Sequence, residues 1–292
     1  FELIQELEKL QDEVPSEETG TVVKVIETEL NKSVETIFKK FEQEPIASAS
    51  IAQVHMAELH TGEKVVVKIQ RPDLKKKLEI DIEIMMHLAG LSEKYITGMS
   101  VVKPKSIIEE FSKTILKELD FVNEINNIER FRIFFKSDTT IYVPKVYREF
   151  SAPAIIVMEH IDGIKVSQID KLNDTGLDSS IIAKRGIDLF LKQIFQYGFF
   201  HADPHPGNIF IMLDGKICFL DYGMFGALTR LQRDQLCDII LAITNNDEKK
   251  LLSTVLALSK RSKFDYDSLT LDISDFVNKY FFIQLNEINV GQ

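Results

Sequence analysis

The first quarter of the chain changes from a helical hydrophobic pattern to a strand-like one. Apolar residues recur at helical spacing through residues 1–42, which predicts short helices there. From about residue 46 small or apolar residues alternate with polar ones, Thr61-Gly62 supplies a turn, and the β-branched run KVVVKIQ follows. This second pattern predicts a β-hairpin.

The next stretch returns to helical spacing and then offers two further strands. Residues 76–97 and 103–135 carry the helical period, so we expect helices in both. The segments YVPKVYREF (142–150) and PAIIVMEHI (153–161) are rich in β-branched and aromatic residues and predict strands.

The second half is mainly helical around a central loop and hairpin. Residues 178–197 predict a helix, and GFFHADPHPGN (198–208) is too rich in Gly and Pro for anything but a loop. Two apolar runs on either side of Asp214-Gly215 predict a hairpin, and three helices are expected to finish the chain. The expected fold class is α+β in two lobes of one domain, with residues 1–161 in the first lobe and 162–292 in the second.

Composition and charge limit the partners and the cellular locations that we expect for this chain. The 292 residues are 45% hydrophobic and can bury a substantial core, while a net charge of −10 provides no overall attraction to nucleic acid or to an anionic membrane. We therefore expect no nucleic-acid partner. Cys218 and Cys237 lack CxxC spacing, which favours a reducing, cytoplasmic location over a disulfide framework or zinc cluster. No apolar run reaches membrane-spanning length, and the absence of an initiator Met predicts a piece of a longer protein.

The stretch ASASIAQV (47–54) has the spacing of the G-x-G-x-x-G-x-V phosphate loop, with alanine where glycine is usual. Glycine reaches positive φ freely and lets the backbone approach phosphates, and alanine weakens both properties. With Ala47, Ala49 and Ala52 in these places, we expect a stiffer loop that binds nucleotide in a different posture. Ser48, Ser50 and Val54 complete the candidate phosphate-contacting residues.

A second group of residues has the spacing of a phosphoryl-transfer site. Asp203 and Asn208 form D-x-x-x-x-N, and Asp221 follows the hairpin in LDYG. In kinase-type sites the first Asp orients the attacking hydroxyl, while the Asn and the second Asp hold Mg²⁺. Lys68 lies 14 residues after Val54, where a lysine for the phosphates is expected. Its carboxylate partner could be any of Glu118, Asp120 or Glu124, the last two being spaced i,i+4 as on one helix face.

The strand IIVMEHI has the layout of an adenine-binding hinge. Met158 precedes Glu159-His160-Ile161, whose backbone could offer a carbonyl and an amide to the edge of adenine. Val66, on the strand of Lys68, and the hinge residues Met158, Glu159 and Ile161 are the candidate contacts of the base.

Taken together, these motifs resemble the UbiB/ADCK family of atypical kinase-like proteins over nearly all of the chain. The family marks are SIAQVH, VVVKIQRPD, ELDFVNE, HADPHPGN and LDYG. The resemblance implies a bilobal protein-kinase-like fold that binds ATP or ADP with Mg²⁺. It also implies roles for seven residues: Lys68 as the phosphate lysine, Glu124 as its helix partner, Asp203 as the catalytic-loop Asp, Asn208 and Asp221 as metal ligands, and Glu118 and Asp120 as the E-x-D pair.

The resemblance also implies segments and a setting beyond these motifs. In this family a K-x-G-Q segment precedes the domain and meets the E-x-D pair, and many members carry membrane helices after it. The expected setting is isoprenoid-quinone (ubiquinone) biosynthesis or lipid homeostasis. A lipid or quinone precursor is then a further partner, and membrane association runs through parts outside this chain.

Two departures from protein kinases favour ATP hydrolysis, or transfer to a small or lipid-like molecule, over protein phosphorylation. His205 stands two residues after Asp203, where kinases place Lys. After Asp221-Tyr222-Gly223 the sequence runs almost directly into a helix, which leaves little platform for a peptide substrate. We therefore expect an ATP-dependent ATPase or phosphotransferase.

Two other interpretations remain open at this point. One is a catalytically weak pseudokinase that binds nucleotide as a scaffold for membrane-associated partners, although the retained Asp203, Asn208 and Asp221 argue against it. The other is a metalloenzyme built on the H-x-D-x-H of His201, Asp203 and His205. We prefer the alternative that His201 packs beneath the loop and hydrogen-bonds to backbone.

Overall fold

The computed structural model describes residues 17–96, 103–245, 247–258 and 270–275. The helices are α1 (Thr19–Leu30), α2 (Val34–Ile37), α3 (Leu74–Tyr95), α4 (Pro104–Glu118), α5 (Phe121–Phe134), α6 (Ile169–Asp174), α7 (Ser179–Leu191), α8 (Arg230–Thr244) and α9 (Glu248–Leu258). The strands are β1 (Phe38–Ser48), β2 (Ala52–Leu59), β3 (Lys64–Gln70), β4 (Ile141–Tyr142), β5 (Ile155–Glu159), β6 (Ile164–Lys165), β7 (Phe199–His201), β8 (Ile209–Ile211), β9 (Ile217–Phe219) and β10 (Phe225–Ala227). Short 3₁₀ turns occur at Arg148–Phe150 and Pro206–Asn208, and a π-helical turn at Lys192–Tyr197.

The chain divides into two compact units. The described parts of Phe1–Gly186 and His201–Phe225 form the first, and those of Ile187–Phe200 and Gly226–Gln292 form the second. Every candidate site residue lies in the first unit. The lobe boundary between residues 161 and 162 stays a prediction.

An antiparallel sheet in the order β1-β2-β3-β5 positions the lysine of the candidate site. Val65, Val67 and Ile69 of β3 are almost fully buried and pack with α1 in one core. Successive side chains of a strand point to opposite faces, so Lys68 is directed away from that core. The predicted hairpin of β2 and β3 is confirmed by their antiparallel pairing from Ala52↔Gln70 to Glu58↔Lys64.

A second sheet, in the order β4-β9-β8-β6, positions the candidate metal ligands. The hairpin predicted across Asp214-Gly215 is confirmed, because β8 and β9 pair antiparallel. Gly215 has φ +75°, and a Cβ there would lie 2.8 Å from Nη1 of Arg185. The positive φ favours glycine at this turn, and a larger residue would also displace the end of the Arg185 side chain.

The helix predicted up to residue 42 is wrong over its last residues, because β1 already begins at Phe38. The strand pairs with β2 with register shifts between Phe38 and Lys40, between Phe41 and Pro45, and between Pro45 and Ala47. These irregularities leave the less exposed residues three or four apart. A bulged strand thus imitates the period of a helix. Helices are present at α1 and α2, and the predicted helices before Glu17 lie outside the described residues.

Three further expectations need correction. The segment 142–150 is a strand only at its first residue and ends in a 3₁₀ turn, since Pro144 supplies no amide donor to a ladder. The helical stretch 103–135 is two helices, broken between Glu118 and Phe121. The loop 198–208 contains the short strand β7 and a 3₁₀ turn. Helix 76–97 corresponds to α3, and helix 178–197 to α7 and its π-helical continuation.

The second unit is mainly helical in its described part, which also contains residues of the short strands β7 and β10. Its core comprises Ala242 of α8, Leu251 of α9 and Ile273. Thr229 and Gln232 form a capping box that starts α8 by satisfying free backbone amides. Two of the three expected C-terminal helices are α8 and α9, and residues 270–275 are also helical. Among the described helices, none has the length and apolar character that crossing a membrane requires.

Candidate functional site

The side chains of Lys68 and Glu124 form a buried ion pair. Nζ of Lys68 donates to both carboxylate oxygens of Glu124, at 3.0 Å and 2.8 Å. The two side chains are 15% and 3% exposed, and the ammonium also lies 5.2 Å from the ring centroid of Phe121. β3 supplies the lysine and the first turn of α5 supplies the glutamate, so the pair ties the sheet to that helix.

Asp221 is the second carboxylate beside this lysine. Its Oδ1 lies 3.7 Å from Nζ of Lys68, and the Lys68 ammonium lowers the pKa of Asp221 below its ordinary value. Burial alone would lower the pKa of Lys68, but the carboxylates of Glu124 and Asp221 outweigh it and raise the pKa. The structure therefore holds one cation between two carboxylates. One of these, Asp221, is 42% exposed and accessible to a ligand.

The backbone after Asp221 is fixed by hydrogen bonds to α5. The Tyr222 amide donates to Oε1 of Glu124 at 3.3 Å, and Nδ2 of Asn127 donates to the Tyr222 carbonyl at 2.8 Å. The Tyr222 ring is fully buried and stacks on Phe225 with centroids 5.5 Å apart. Its hydroxyl has no hydrogen-bond partner in the described part of the chain, so the ring contributes here as an apolar group. These contacts fix the backbone beside Asp221, and the Gly223 amide holds the side chain by donating to its Oδ1 at 2.9 Å.

His201 connects the backbones of the two candidate aspartates. The Asp203 amide donates to Nδ1 of His201 at 3.2 Å, which leaves the proton on Nε2, and Nε2 donates to the Asp221 carbonyl at 2.8 Å. Burial lowers the pKa of His201, consistent with this neutral form. The expectation that His201 hydrogen-bonds to backbone is confirmed. Because both ring nitrogens are engaged, the geometry argues against His201 as a metal ligand.

The β8–β9 hairpin brings the backbone of Asn208 close to Asp221. The Leu220 amide donates to the Asn208 carbonyl at 3.0 Å, so Asn208 lies beside the residue that precedes Asp221. His205 accepts a hydrogen bond from the Gly207 amide on Nδ1 at 3.1 Å. As an acceptor, this nitrogen carries no proton, unlike the lysine that kinases place here.

The E-x-D residues lie on either side of the break between α4 and α5, with Glu118 as the last residue of α4. Asp120 is the N-cap of α5 and accepts a hydrogen bond from the Val122 amide at 3.0 Å. It is therefore not on one helix face with Glu124, and the i,i+4 interpretation is wrong. Burial raises the pKa of Glu118, and the carboxylates of Asp221 and Asp203 raise it further. Of the two E-x-D residues, Glu118 is thus the one whose pKa is affected by the carboxylates of the candidate site.

The alanine-rich loop is a tight turn between β1 and β2. Ala47 pairs with Val54 and Ser48 with Gln53 in the ladder. The Ala49 amide donates to the Ala52 carbonyl at 2.8 Å, so this amide is used within the loop. Among the described residues, none of the three loop alanines adopts positive φ. A loop of this shape does not require glycine.

The predicted adenine-binding hinge begins at the end of β5. Met158 is buried and pairs with Val66 of β3. The carboxylate of Glu159 accepts hydrogen bonds from the Tyr142 hydroxyl at 2.6 Å and the Lys145 amide at 3.1 Å. Burial and this contact raise the pKa of Tyr142 to about 12. No hydrogen bond within the described part of the chain uses the amide of Ile161, which leaves it available to a base.

The residues present fit a magnesium nucleotide. Asp221 is ionised and accessible, and neither the Asp203 carboxylate nor the Asn208 carboxamide has a hydrogen-bond partner in the described part of the chain. No cluster of three or more His, Cys, Asp or Glu suited to a metal occurs among the described residues. A site with few protein ligands is typical of Mg²⁺, which keeps waters and substrate phosphates in its shell.

Sequence reasoning missed some residues that shape the site. Arg71 contacts the alanine-rich loop, Asn127 holds the Tyr222 carbonyl, and Gln53 and His55 form a buried hydrogen bond 2.7 Å long in β2. Two polar residues at alternate positions of a mainly apolar strand were a usable signal for the last pair. Arg71 and Asn127 offered no comparable pattern.

The family model of the ABC1 atypical kinase-like domain matches residues 9–255. The chain belongs to this family. ABC1 relatives include "Protein ACTIVITY OF BC1 COMPLEX KINASE 7, chloroplastic" of Arabidopsis thaliana, 40% identical over 260 residues, with 88% of this chain and 37% of that protein covered. "Probable protein kinase UbiB" of Pseudomonas fluorescens is 37% identical over 254 residues, with 86% and 48% covered. The resemblance to the UbiB/ADCK family is confirmed.

A solved structure of another protein shows the same fold. The Rv3197–erythromycin complex from Mycobacterium tuberculosis superimposes with a TM-score of 0.70 at 24% identity, covering 91% of this chain and 66% of that one. With the ABC1 match, this confirms the predicted α+β kinase-like fold class. The chain spans 37% to 54% of the length of the first curated relatives it matches.

Proposed function

We propose that this ABC1 domain binds Mg-ATP or Mg-ADP and acts as an ATP-dependent ATPase or phosphotransferase. The observation that carries the proposal is the joining of Lys68, Glu124 and Asp221, with 2.8 Å and 3.7 Å between Nζ and the two carboxylates. This arrangement of a phosphate lysine, its helix partner and a metal-binding Asp is what phosphoryl transfer uses. Val66, Met158 and the Ile161 amide are the proposed contacts of adenine.

Each residue has a proposed task in this reaction. Lys68, held by Glu124, orients the phosphates, and Asp203 orients the attacking water or hydroxyl. Asn208 and Asp221 would hold the metal ion. A bound magnesium ion supplies charge neutralisation on the phosphates. Tyr222, which follows Asp221, is buried, and its amide donates to Glu124. Both contacts keep the backbone at Asp221 in place, so its carboxylate stays directed at the proposed metal ion.

We further propose hydrolysis or transfer to a small or lipid-like acceptor, in support of isoprenoid-quinone synthesis or lipid homeostasis. The relationship to UbiB-type proteins supports this setting, and His205 in place of a kinase lysine supports a reaction other than protein phosphorylation. Membrane association of the full-length protein, through parts outside the described residues, belongs to the same proposal.

The nucleotide site can be tested by thermal shift with ATP and ADP, each with and without Mg²⁺. We expect a magnesium-dependent rise in melting temperature, because a ligand stabilises the state it binds. Asp221→Asn should lose the magnesium-dependent part, whereas Asp174→Asn, at an exposed position of α6, should keep it. An equal response of the two variants would contradict the proposed metal ligand, and no response of the unaltered chain would contradict the nucleotide site.

A scaffold without turnover is the second candidate function. It is favoured by the Ala49 amide, which is already bonded to Ala52, and by the unprotonated Nδ1 of His205. Two measurements on the same preparations separate hydrolysis, protein phosphorylation and a scaffold role. These are the release of phosphate from ATP and the transfer of labelled phosphate to added protein. Release without protein labelling supports the proposed function, robust labelling supports a protein kinase, and nucleotide binding without either supports the scaffold.

A further inference from the structure

Arg71 connects the alanine-rich loop to the residues that begin α1. Its Nε donates to the Ala49 carbonyl at 3.0 Å, and its Nη2 donates to the Ser48 hydroxyl at 2.9 Å. Its Nη1 donates to Oε1 of Glu17 at 2.9 Å. The arginine side chain is only 12% exposed. One guanidinium therefore joins two loop residues to a carboxylate that precedes α1.

A second contact ties Glu17 to the same hairpin. The Glu17 amide donates to Oε1 of Gln53 at 2.8 Å, and Gln53 is 1% exposed. Gln53 pairs with Ser48 in the ladder at the base of the loop. Glu17 is thus held through its backbone by one strand of the hairpin, and through its side chain by Arg71.

The backbone of Arg71 holds the loop as well. Its amide donates to the Ile51 carbonyl at 3.0 Å, next to the bond between Ala49 and Ala52. Arginine presents several donors in a rigid planar fork, so it can meet these partners at once, whereas lysine offers a single point of charge. The sequence position is consistent with this role, because Arg71 follows Lys68 by three residues at the end of β3.

We propose that Arg71 is a positioning residue for the phosphate loop, and that it couples the posture of the loop to the start of α1 at Glu17. This inference rests on the proposed function, since it takes the loop to be the part that receives phosphates. A loop that is already fixed avoids the ordering cost that a mobile loop would pay on binding. A change at Glu17 is transmitted to the loop through the same guanidinium.

The first test compares nucleotides with and without phosphates by calorimetry, using Mg-ADP and adenosine on the whole chain. Arg71→Gln should weaken Mg-ADP about ten-fold, as expected if about one molecule in ten keeps the competent loop, and leave adenosine within about two-fold. Arg148→Gln is the matched control, because Arg148 also donates to a carboxylate, that of Glu129, but lies away from the loop. It should change neither affinity.

Two further variants separate positioning from general damage to the fold. Arg71→Lys keeps the charge and should recover only part of the Mg-ADP affinity. Glu17→Gln should weaken Mg-ADP less than Arg71→Gln does, and it should add little in the double variant, because both act through one contact. Equal weakening of Mg-ADP and adenosine, no weakening, or fully additive effects would overturn the proposal.

Amide hydrogen exchange supplies a readout that needs no nucleotide. Exchange at Ala49 should be about ten-fold faster in both Arg71→Gln and Glu17→Gln and unchanged in Arg148→Gln. Unchanged exchange in the first two variants would refute the coupling. If the unaltered chain bound neither nucleotide nor adenosine, the proposed function would fail, and the coupling of the loop to α1 would be decided by these exchange rates alone.

Discussion

At the scale of single residues, the charge balance of the candidate site depends on Lys68. It is the cation shared by two carboxylates, and its side chain is largely removed from water. A buried ion pair is costly to form, and removing one partner leaves the other charge without compensation. The contribution of this ion pair to the free energy of unfolding can therefore be tested without any nucleotide.

We expect Glu124→Gln to lower the free energy of unfolding by about 3 kcal/mol, because it leaves the buried ammonium with only the longer contact to Asp221. The double variant Lys68→Met/Glu124→Leu should recover most of that loss, since apolar residues of similar size remove both charges. Urea unfolding followed by circular dichroism measures both values.

The matched control is Glu58→Gln, which breaks the Lys39–Glu58 pair at the surface of the same sheet. That pair is exposed, so the variant should change stability much less than Glu124→Gln. Similar losses in both single variants, or no recovery in the double variant, would contradict the view that burial makes the Lys68 pair expensive to break.

At the scale of elements, the alanine-rich loop departs from the glycine-rich pattern of protein kinases. The structure gives a reason for tolerating alanine, because the turn uses its own amide at Ala49 and needs no positive φ at the alanines. Glycine is more mobile and lets the backbone approach phosphates. The elements around the loop are thus compatible with either residue, and any difference would lie in how the loop contacts the proposed nucleotide.

Ala49→Gly should raise the affinity for Mg-ATP by about three-fold or more, because removing the Cβ lets the backbone come closer to the phosphates while Arg71 still holds the carbonyl at position 49. Ala49→Ser keeps the Cβ and should leave the affinity unchanged. Calorimetric titration with Mg-ATP and Mg-ADP measures the effect. Unchanged affinities for both nucleotides in Ala49→Gly would count against the idea that the alanine Cβ keeps the backbone away from the phosphates.

Elements with one clear period could be predicted from the sequence, and those with an interrupted period could not. The β2–β3 hairpin and α3 have unambiguous patterns, and the structure has both. In β1 the register shifts gave a strand the spacing of a helix. The break between α4 and α5 falls within a continuous helical pattern, and only the N-cap geometry of Asp120 decides it.

The same distinction holds for the candidate site. The grouping of Lys68 with Asp221 was expected, because kinase-type motifs keep their order along the chain, while the roles of these residues stay predictions. Which of three nearby carboxylates meets the lysine was left open by spacing, and the helix break decides it. The contacts of Arg71 join it to residues 22, 23 and 54 positions away, and no local pattern records them.

At the scale of the whole molecule, two buried histidines link folding to pH. His55 is fully buried, stacks on Phe41 and bonds to the Glu42 carbonyl through Nδ1 at 2.9 Å, and His201 bonds to the Asp221 carbonyl. Burial lowers the pKa of both imidazoles. Each stays neutral in the folded chain at a pH where the unfolded chain already binds a proton.

The direction of the pH effect follows from proton binding. As the pH falls through about 6.5, the ordinary value for histidine, the unfolded state takes up protons that the folded state refuses, so the free energy of unfolding falls. The contribution is complete above that value and is lost towards the lower pKa of the folded state. The slope reaches about 1.4 kcal/mol per pH unit for each histidine.

We therefore expect urea unfolding to give constant stability from about pH 8 to 7 and a decline between about pH 6.5 and 5. Replacement of the exposed His60 by Gln should leave this decline intact, whereas His201→Gln should reduce its slope by up to half, because one of two linked protons is removed. A flat profile down to about pH 5.5 would show that both imidazoles accept protons in the folded state. In that case the hydrogen bond from Nε2 of His201 to the Asp221 carbonyl would survive protonation, but Nδ1 could no longer accept from the Asp203 amide, and the backbone of the loop that carries Asp203 would have to shift.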